Sequence, residues 1–378
     1  MSSALSSNGA AMEAKAHEVS AEGFEEYVQE RIARARPGDV IELPAGKFTL
    51  ERPLTLTTRD LVLRGQGSSR TRLDFSRQES GAQSLLVMGA GIAVEGLAIV
   101  DPLADGLVAR NSGRITVSDV SVEWITREIS TRGGYGIYPI NCSDVTIERS
   151  FVQGAREAGI YVGQTLRGMV RDNRVEKNVV GIDIENSHEI QVEGNQVRDN
   201  SVGIVVSARP NLFQPRSHGN RIGDNRIAGN NRENFAEKTS HLAVLGDGRG
   251  LMVISSSKTV IEGNRFEEHR SSHAVFLNYL SLGLRISQPD PYFMPDLIDN
   301  RLSGNSFIED RSIVQKRGET WRDASGWAVV WDGISSAFPR SAASMPVPVC
   351  SADRSVFSVF DATRMSGSIP RCAAVKGK

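Results

Sequence analysis

The sequence predicts an all-β fold, a right-handed parallel β-helix, on three observations. A Gly-Ile strand motif returns at a fixed interval. Gly159-Ile-Tyr-Val162, Gly181-Ile-Asp-Ile184 and Gly203-Ile-Val-Val206 stand 22 residues apart, with Gly136-Ile-Tyr-Pro139 before them and Gly250-Leu-Met-Val253 after. Asparagine falls into two columns, Asn173, Asn195, Asn225, Asn264 and Asn305, then Asn178, Asn200 and Asn230 five residues later. Glycine is frequent (36 residues) while aromatic residues make up only 6% of the chain, a composition suited to short strands and tight turns. A coil of this length cannot bury its own apolar face, so coils stack and share one linear core. Alternation along each strand sends Ile160, Val162, Ile182, Ile184, Ile204 and Val206 inward. Ile147, Val170, Val192, Ile222 and Ile261 form a second apolar column. An α/β solenoid would need helical spacing between the strands, and there is none.

Each segment then has a role. Residues 1–17 are small and polar and read as a flexible N-terminus. Residues 18–38 read as a capping helix: Ser20 is placed to N-cap it, and Phe24, Tyr27, Val28, Ile32 and Ala35 recur at helical spacing. Such a helix covers the open first coil and its unpaired edge. Residues 39–311 read as the β-helix, interrupted near 125–134, 209–218, 231–247 and 280–297. Long insertions on repeat proteins often build the binding face. Residues 312–378, with Trp321, Trp327, Trp331, Pro346 and Pro348, read as an irregular C-terminal cap. Asparagine at equivalent corners tolerates left-handed backbone and can bond its neighbour in the next coil.

Composition sets limits. Lys plus Arg number 44 against 45 Asp plus Glu, a net charge of −1, so no basic face for nucleic acid is indicated. No apolar run approaches the roughly 20 residues of a membrane span. The N-terminus lacks the pattern of a secretory signal. Cys142 reads as a small buried residue, whereas Cys350 and Cys372 could pair. With that disulfide and a removed signal the protein is periplasmic or secreted; otherwise it is cytoplasmic.

Gly133-Gly-Tyr-Gly-Ile-Tyr-Pro-Ile140, Gly154-Ala-Arg-Glu-Ala-Gly-Ile-Tyr-Val-Gly-Gln164, Gly181-Ile-Asp-Ile-Glu-Asn-Ser187 and Asn234-Phe-Ala236 resemble a bacterial family of right-handed parallel β-helix repeat proteins. More distantly they are similar to the carbohydrate-binding and sugar-hydrolase β-helices, which include pectate lyases and mannuronan C5-epimerases. The close resemblance spans roughly residues 70–280 and implies the fold, and the chemistry only in outline. Arg156-Glu157 departs from a small residue followed by Asp in that pattern. Ser207-Ala-Arg-Pro210 replaces an apolar-Asp-Leu-Pro stretch. The Asp-Pro-His-Asp motif of the epimerases is absent.

The outward residues of the Gly-Ile strands form two columns, one with Val108, Tyr138, Tyr161, Asp183, Val205 and Met252, the other with Arg110, Ile140, Gly163, Glu185, Ser207 and Ile254. Neighbouring coils lie about 4.8 Å apart, so Tyr138, Tyr161 and Asp183 stand in a row with Glu185 beside them. The functional reading is a groove for an acidic, uronate-bearing polysaccharide, worked on by lyase or C5-epimerase chemistry. Arg156 or Arg132 would neutralise the sugar carboxylate, Tyr161 or Glu185 would take the C5 proton, and Tyr138 would return one. Arg110, Arg127, Arg132, Glu157 and Gln164 are placed to bind substrate. Asp183 and Glu185 could alternatively serve glycoside hydrolysis or chelate Ca²⁺. The plainer reading makes the carboxylates part of a solvated sheet face, the tyrosines mutual stacking partners, and Arg156–Glu157 a surface ion pair. A non-catalytic module that binds a glycan or a protein is the rival function. The histidines show no zinc-ligand spacing, and His241 reads as a bystander in its insertion. No phosphate-binding loop or serine-hydrolase elbow occurs.

Overall fold

A computed structural model describes residues 23–286, 288–308, 327–332, 349–352, 359–361 and 371–372. Every strand pairing in it is between neighbouring coils and parallel. The Gly-Ile strands form one sheet, in which Ile160 pairs with Ile182, Ile182 with Ile204, Ile204 with Leu251, and Leu251 with Ala274. Two further strands, merged into one in the coils of Ala93–Val100 and Gly113–Glu123, close the solenoid; in one coil they are His188–Glu193 and Gln196–Arg198. The residues expected inward, Ile160 to Val206, lie in one continuous buried core. The recurring glycine marks a close approach. A Cβ on Gly181 would sit 2.6 Å from the Gly203 carbonyl oxygen and 2.5 Å from a Val197 methyl.

Both asparagine columns are ladders. Asn173, Asn195, Asn225 and Asn264 each donate a side-chain hydrogen bond to the next asparagine's Oδ1, at 2.9–3.0 Å. Asn178 and Asn200 do the same in the second column. Each amide also donates to a backbone carbonyl of the preceding coil, so the buried polar corners are satisfied.

The helix runs Phe24–Arg34 and closes the first coil. Phe24 stacks on Phe48 at 3.8 Å between ring centres, and Phe24 and Val28 are fully buried. Gly23 precedes it without a side-chain cap; Ser20 and the N-terminus, 1–17, lie outside the described residues. At the other end, parallel pairing extends past residue 311. Trp327–Asp332 pairs with Ser272–Leu277, Val349–Ser351 with Asn300–Ser303, and Val359–Asp361 with Trp327–Asp332. Strands in coil register therefore enter the segment expected to be an irregular cap, whose remainder lies outside the described residues. Cys350 and Cys372 form a disulfide, and Cys142 is free and buried. No described helix is long and apolar enough to cross a membrane.

The four insertions leave the coils where expected. The segments around His241–Leu245 and Tyr279–Leu282 fold back over the outer face of the Gly-Ile sheet. There Leu242, Leu245, Tyr279, Leu282 and Phe293 pack on Tyr161, Val205, Met252 and Ile254 in a second apolar cluster. This corrects the open groove: over these coils the outward face is an interior.

Candidate functional site

Beneath that cover the outward columns have the expected register. Tyr138 lies opposite Val108, Tyr161 opposite Asp183, Gly163 opposite Glu185, and Asp183 opposite Val205. The rings of Tyr135, Tyr138 and Tyr161 cluster at 4.5–4.9 Å between centres. Asp183 is 1% and Glu185 2% exposed, which rules out a solvated sheet face.

The two carboxyls have opposite surroundings. Glu185 accepts from the Tyr161 hydroxyl at 2.8 Å and from Arg209 at 3.1 Å, and the His241 Nε2 lies 3.2 Å away. Burial pushes Glu185 up, but the His241 hydrogen bond, the Arg209 charge and the Tyr161 hydroxyl outweigh it and hold it ionised well below the usual range. Asp183 has no hydrogen bond on either oxygen. Burial, then the Glu185 charge, lifts it well above the usual range despite the opposing charge of Arg209, so it keeps its proton. One oxygen of each carboxyl and a ring nitrogen of His241 lie within 4.8 Å of one another. Arg209 Nε is a further buried polar atom without a partner.

Two of the three tyrosines donate hydroxyl hydrogen bonds to carboxylates, Tyr161 to Glu185 and Tyr135 to Glu157. Burial lifts the phenols, Tyr138 to about 12 and Tyr161 well above its ordinary value, with nearby carboxylates adding to the effect. A phenol so raised holds its proton, and Tyr161 commits it to Glu185. Asp105 borders the cluster, accepting from the Tyr135 amide, and burial raises it to about 6.

The expected arginine clamp is not there. Arg127 donates to the carbonyls of Asp101 and Phe75, and Arg132 to that of Arg127. Arg156 bonds the Ser130 carbonyl and the Glu237 carboxylate, tying the first insertion to the third. Arg110 is exposed opposite Ile140, and its charge acts on Asp105 and Tyr138. Gln164 turns the corner after its strand and accepts from the Gln214 amide at 3.4 Å. Glu157 reaches the site through Tyr135. The cation at Glu185 is Arg209, from the Ser207-Ala-Arg-Pro210 departure, joined by His241, which had read as a bystander. Only the position of both residues in insertions hinted at them.

A parallel β-helix whose insertions seal an acid–base cluster onto one sheet is the class this geometry defines. The family described as periplasmic copper-binding protein (NosD) matches residues 83–241 and 134–329. The chain belongs to this family. Among solved structures, it is similar to two Azotobacter vinelandii mannuronan C-5 epimerase A-modules. That of AlgE4 is 15% identical, with 89% of this chain and 90% of that one covered and a TM-score of 0.57. For AlgE6 the values are 16%, 92%, 95% and 0.56. DFA-IIIase from Arthrobacter chlorophenolicus A6 is 14% identical, with 82% and 77% covered and a TM-score of 0.54. These likenesses are of fold. No curated protein matches the chain by sequence.

Proposed function

We propose that the protein is a carbohydrate-active enzyme that works on a glycosidic bond with Asp183 as acid and Glu185 as carboxylate. One observation carries this: a buried carboxyl with no hydrogen-bond partner has an oxygen within 4.8 Å of one on a buried carboxyl bonded to Tyr161, Arg209 and His241, and these surroundings push the first up and the second down. Two neighbouring carboxyls driven to opposite protonation states mark an acid and its partner. Their closeness fits a retaining mechanism, in which the groups stand about 5–5.5 Å apart. Asp183 gives its proton to the glycosidic oxygen as the C1–O bond breaks, and Glu185 attacks C1 to form a glycosyl ester. The Asp183 carboxylate then takes a proton from water, the water oxygen bonds to C1, and Glu185 leaves as carboxylate. Tyr161, Arg209 and His241 hold Glu185 in position. Arg209 and His241, with side chains 32% and 23% exposed, lie between the carboxyls and solvent, so sugar enters by parting the insertion that carries His241.

A uronate lyase or epimerase is the second reading, and Arg209 favours it. With Arg127, Arg132 and Arg156 bound elsewhere, Arg209 is the guanidinium in reach of a sugar carboxylate beside Tyr161. The surrounding Asp105, Glu157, Asp183 and Glu185 weigh against an anionic ring.

The family description raises copper. Among the described residues the cluster that could hold a metal is Asp183, Glu185 and His241. The cluster has no sulfur for Cu(I), and for Cu(II), which takes nitrogen and oxygen ligands, it has a single imidazole and a carboxylate already paired with the Arg209 guanidinium, so it does not fit copper as it stands. Ca²⁺ takes six to eight oxygens, of which the two carboxyls could supply four at most, with Arg209 already on Glu185. We take the periplasmic family description and the Cys350–Cys372 disulfide as support for an exported protein.

The test is proton NMR in D₂O with neutral and uronate polysaccharides. New reducing ends lost in Asp183→Asn and Glu185→Gln would support the glycosidic reading. New alkene signals or solvent exchange at C5 would replace it with the second. Silence with every substrate would remove both.

A further inference from the structure

We propose that the corner following the Gly-Ile strands carries a second binding site, for an uncharged saccharide chain. The corner residues Asn111, Asn141, Gln164 and Asn186 stand on successive coils, each backbone amide donating to the carbonyl of the next coil. All four have left-handed backbone, with φ of 46° to 53°. Left-handed residues recur at every corner of this solenoid, and elsewhere they share one property. Apart from this row, its continuation at Ser255, and Asn211 in the insertion above it, every described non-glycine residue with positive φ is Asp, Glu, Lys or Arg. Tolerance of left-handed backbone explains asparagine there, but not glutamine and not the exclusion of charge from one corner alone.

The row is also roofed. Asn186 donates to the carbonyls of Arg209 and Gln214 and accepts from the Arg209 amide, and Gln164 accepts from Gln214. The 209–218 insertion is thereby held over the corner, and its Asn211 amide donates to Asp290 in the 280–297 insertion. Between roof and corner runs a cleft of about 730 Å³, lined by Asn111, Ser112, Asn141, Ser143, Gln164 and Phe213 among others and by no charged side chain. Phe213 is 95% exposed at its edge, and Asn111 and Asn141 are exposed amides.

Amides and hydroxyls repeating at about 4.8 Å along the axis, beside an exposed aromatic ring, suit the hydroxyls and flat apolar faces of sugar residues. The absence of charge selects neutral sugars. The site does not depend on the chemistry at Asp183. Arg209 and Phe213 belong to one insertion, so the roof of the cleft and the cover of the carboxyls share one segment.

The test is calorimetric titration of Glu185→Gln protein, which binds without turnover, with neutral hexasaccharides of glucose, mannose, galactose and fructose. Hexamannuronate is the charged control. At least one neutral hexasaccharide is expected to bind more tightly than hexamannuronate. Phe213→Ala and Asn141→Ala, both surface changes, are each expected to weaken it fivefold or more. No neutral binding, a preference for hexamannuronate, or affinity unchanged in both variants overturns the proposal. So does self-association lost in Phe213→Ala without any sugar binding, which would make the ring a protein contact. Loss of turnover in Glu185→Gln bears on the acid–base reading alone.

Discussion

The Tyr161 hydroxyl donates a 2.8 Å hydrogen bond to Glu185 Oε1, across one coil step and two residues along the strand. That bond sets the position of the carboxylate and helps keep it ionised. Hydrogen bonds to charged groups contribute about 1.5–3 kcal/mol. Tyr161→Phe should lower stability by about that amount and shift the acid limb of the pH–activity profile upward, because Glu185 then protonates more readily. An unmoved acid limb would count against Glu185 as the ionised partner.

Asp183→Asn should separate stability from activity. The folded carboxyl binds its proton more tightly than the unfolded one. Its contribution to stability is therefore full below its ordinary value near 4 and is lost as pH rises through the folded value. An amide does not titrate. In denaturant unfolding the variant should gain on the wild type between pH 4 and pH 8 by on the order of 1 kcal/mol or more. It should also be inactive. A stability difference constant over that range would mean that Asp183 is not protonated in the folded protein.

Arg156 holds the insertion that carries His241. Its 2.8 Å pair with Glu237 is partly exposed and contributes at most about 1 kcal/mol, weak enough for a cover that must open. Arg156→Ala should leave global stability nearly unchanged and speed limited proteolysis within 231–247 severalfold. Unchanged cleavage would mean that other contacts hold the insertion shut.

The ladders make a stronger demand. Asn200 donates to Asn230 Oδ1 and the Val175 carbonyl and accepts from Asn178, all without access to solvent. Asn200→Ala leaves several buried groups unpaired, each costing about 1–3 kcal/mol. The variant should lose about 3 kcal/mol or more in chemical denaturation. A loss under 1 kcal/mol would make the ladder decorative.

Periodicity made the fold legible in the sequence. Each Gly-Ile step repeats one packing problem, so Ile160, Ile182 and Ile204 announce the core, and Asn173 and Asn195 announce the ladder. Register then placed Tyr138, Tyr161, Asp183 and Glu185 together, because it follows from counting residues. The insertions obey no period. Nothing in the spacing of Arg209 or His241 shows that they fold back 24 and 56 residues past Glu185 to meet it. The same blindness turned a covered face into an open groove and made a clamp of Arg127, Arg132 and Arg156, which lie near the site in sequence but bond elsewhere.

His269 ends the second ladder where a further asparagine would stand. Asn230 spends its Oδ1 on Asn200, so its Nδ2 faces the His269 Nε2, 3.1 Å away, and that nitrogen must accept. The proton then sits on Nδ1, which donates to His273 at 2.9 Å. Protonating His269 would set one donor against another in a site closed to water. Burial, then the charge of His273, accordingly pushes it well below its ordinary value of 6.5. The stability it contributes is full above 6.5 and lost as pH falls below it. The wild type should therefore lose melting temperature between pH 7.5 and pH 5.5 relative to His269→Asn, whose amide continues the ladder and does not titrate. A difference between the two proteins that stays constant over that range would show that His269 takes up its proton in the folded state without cost, and that the ladder does not require a neutral ring at its end.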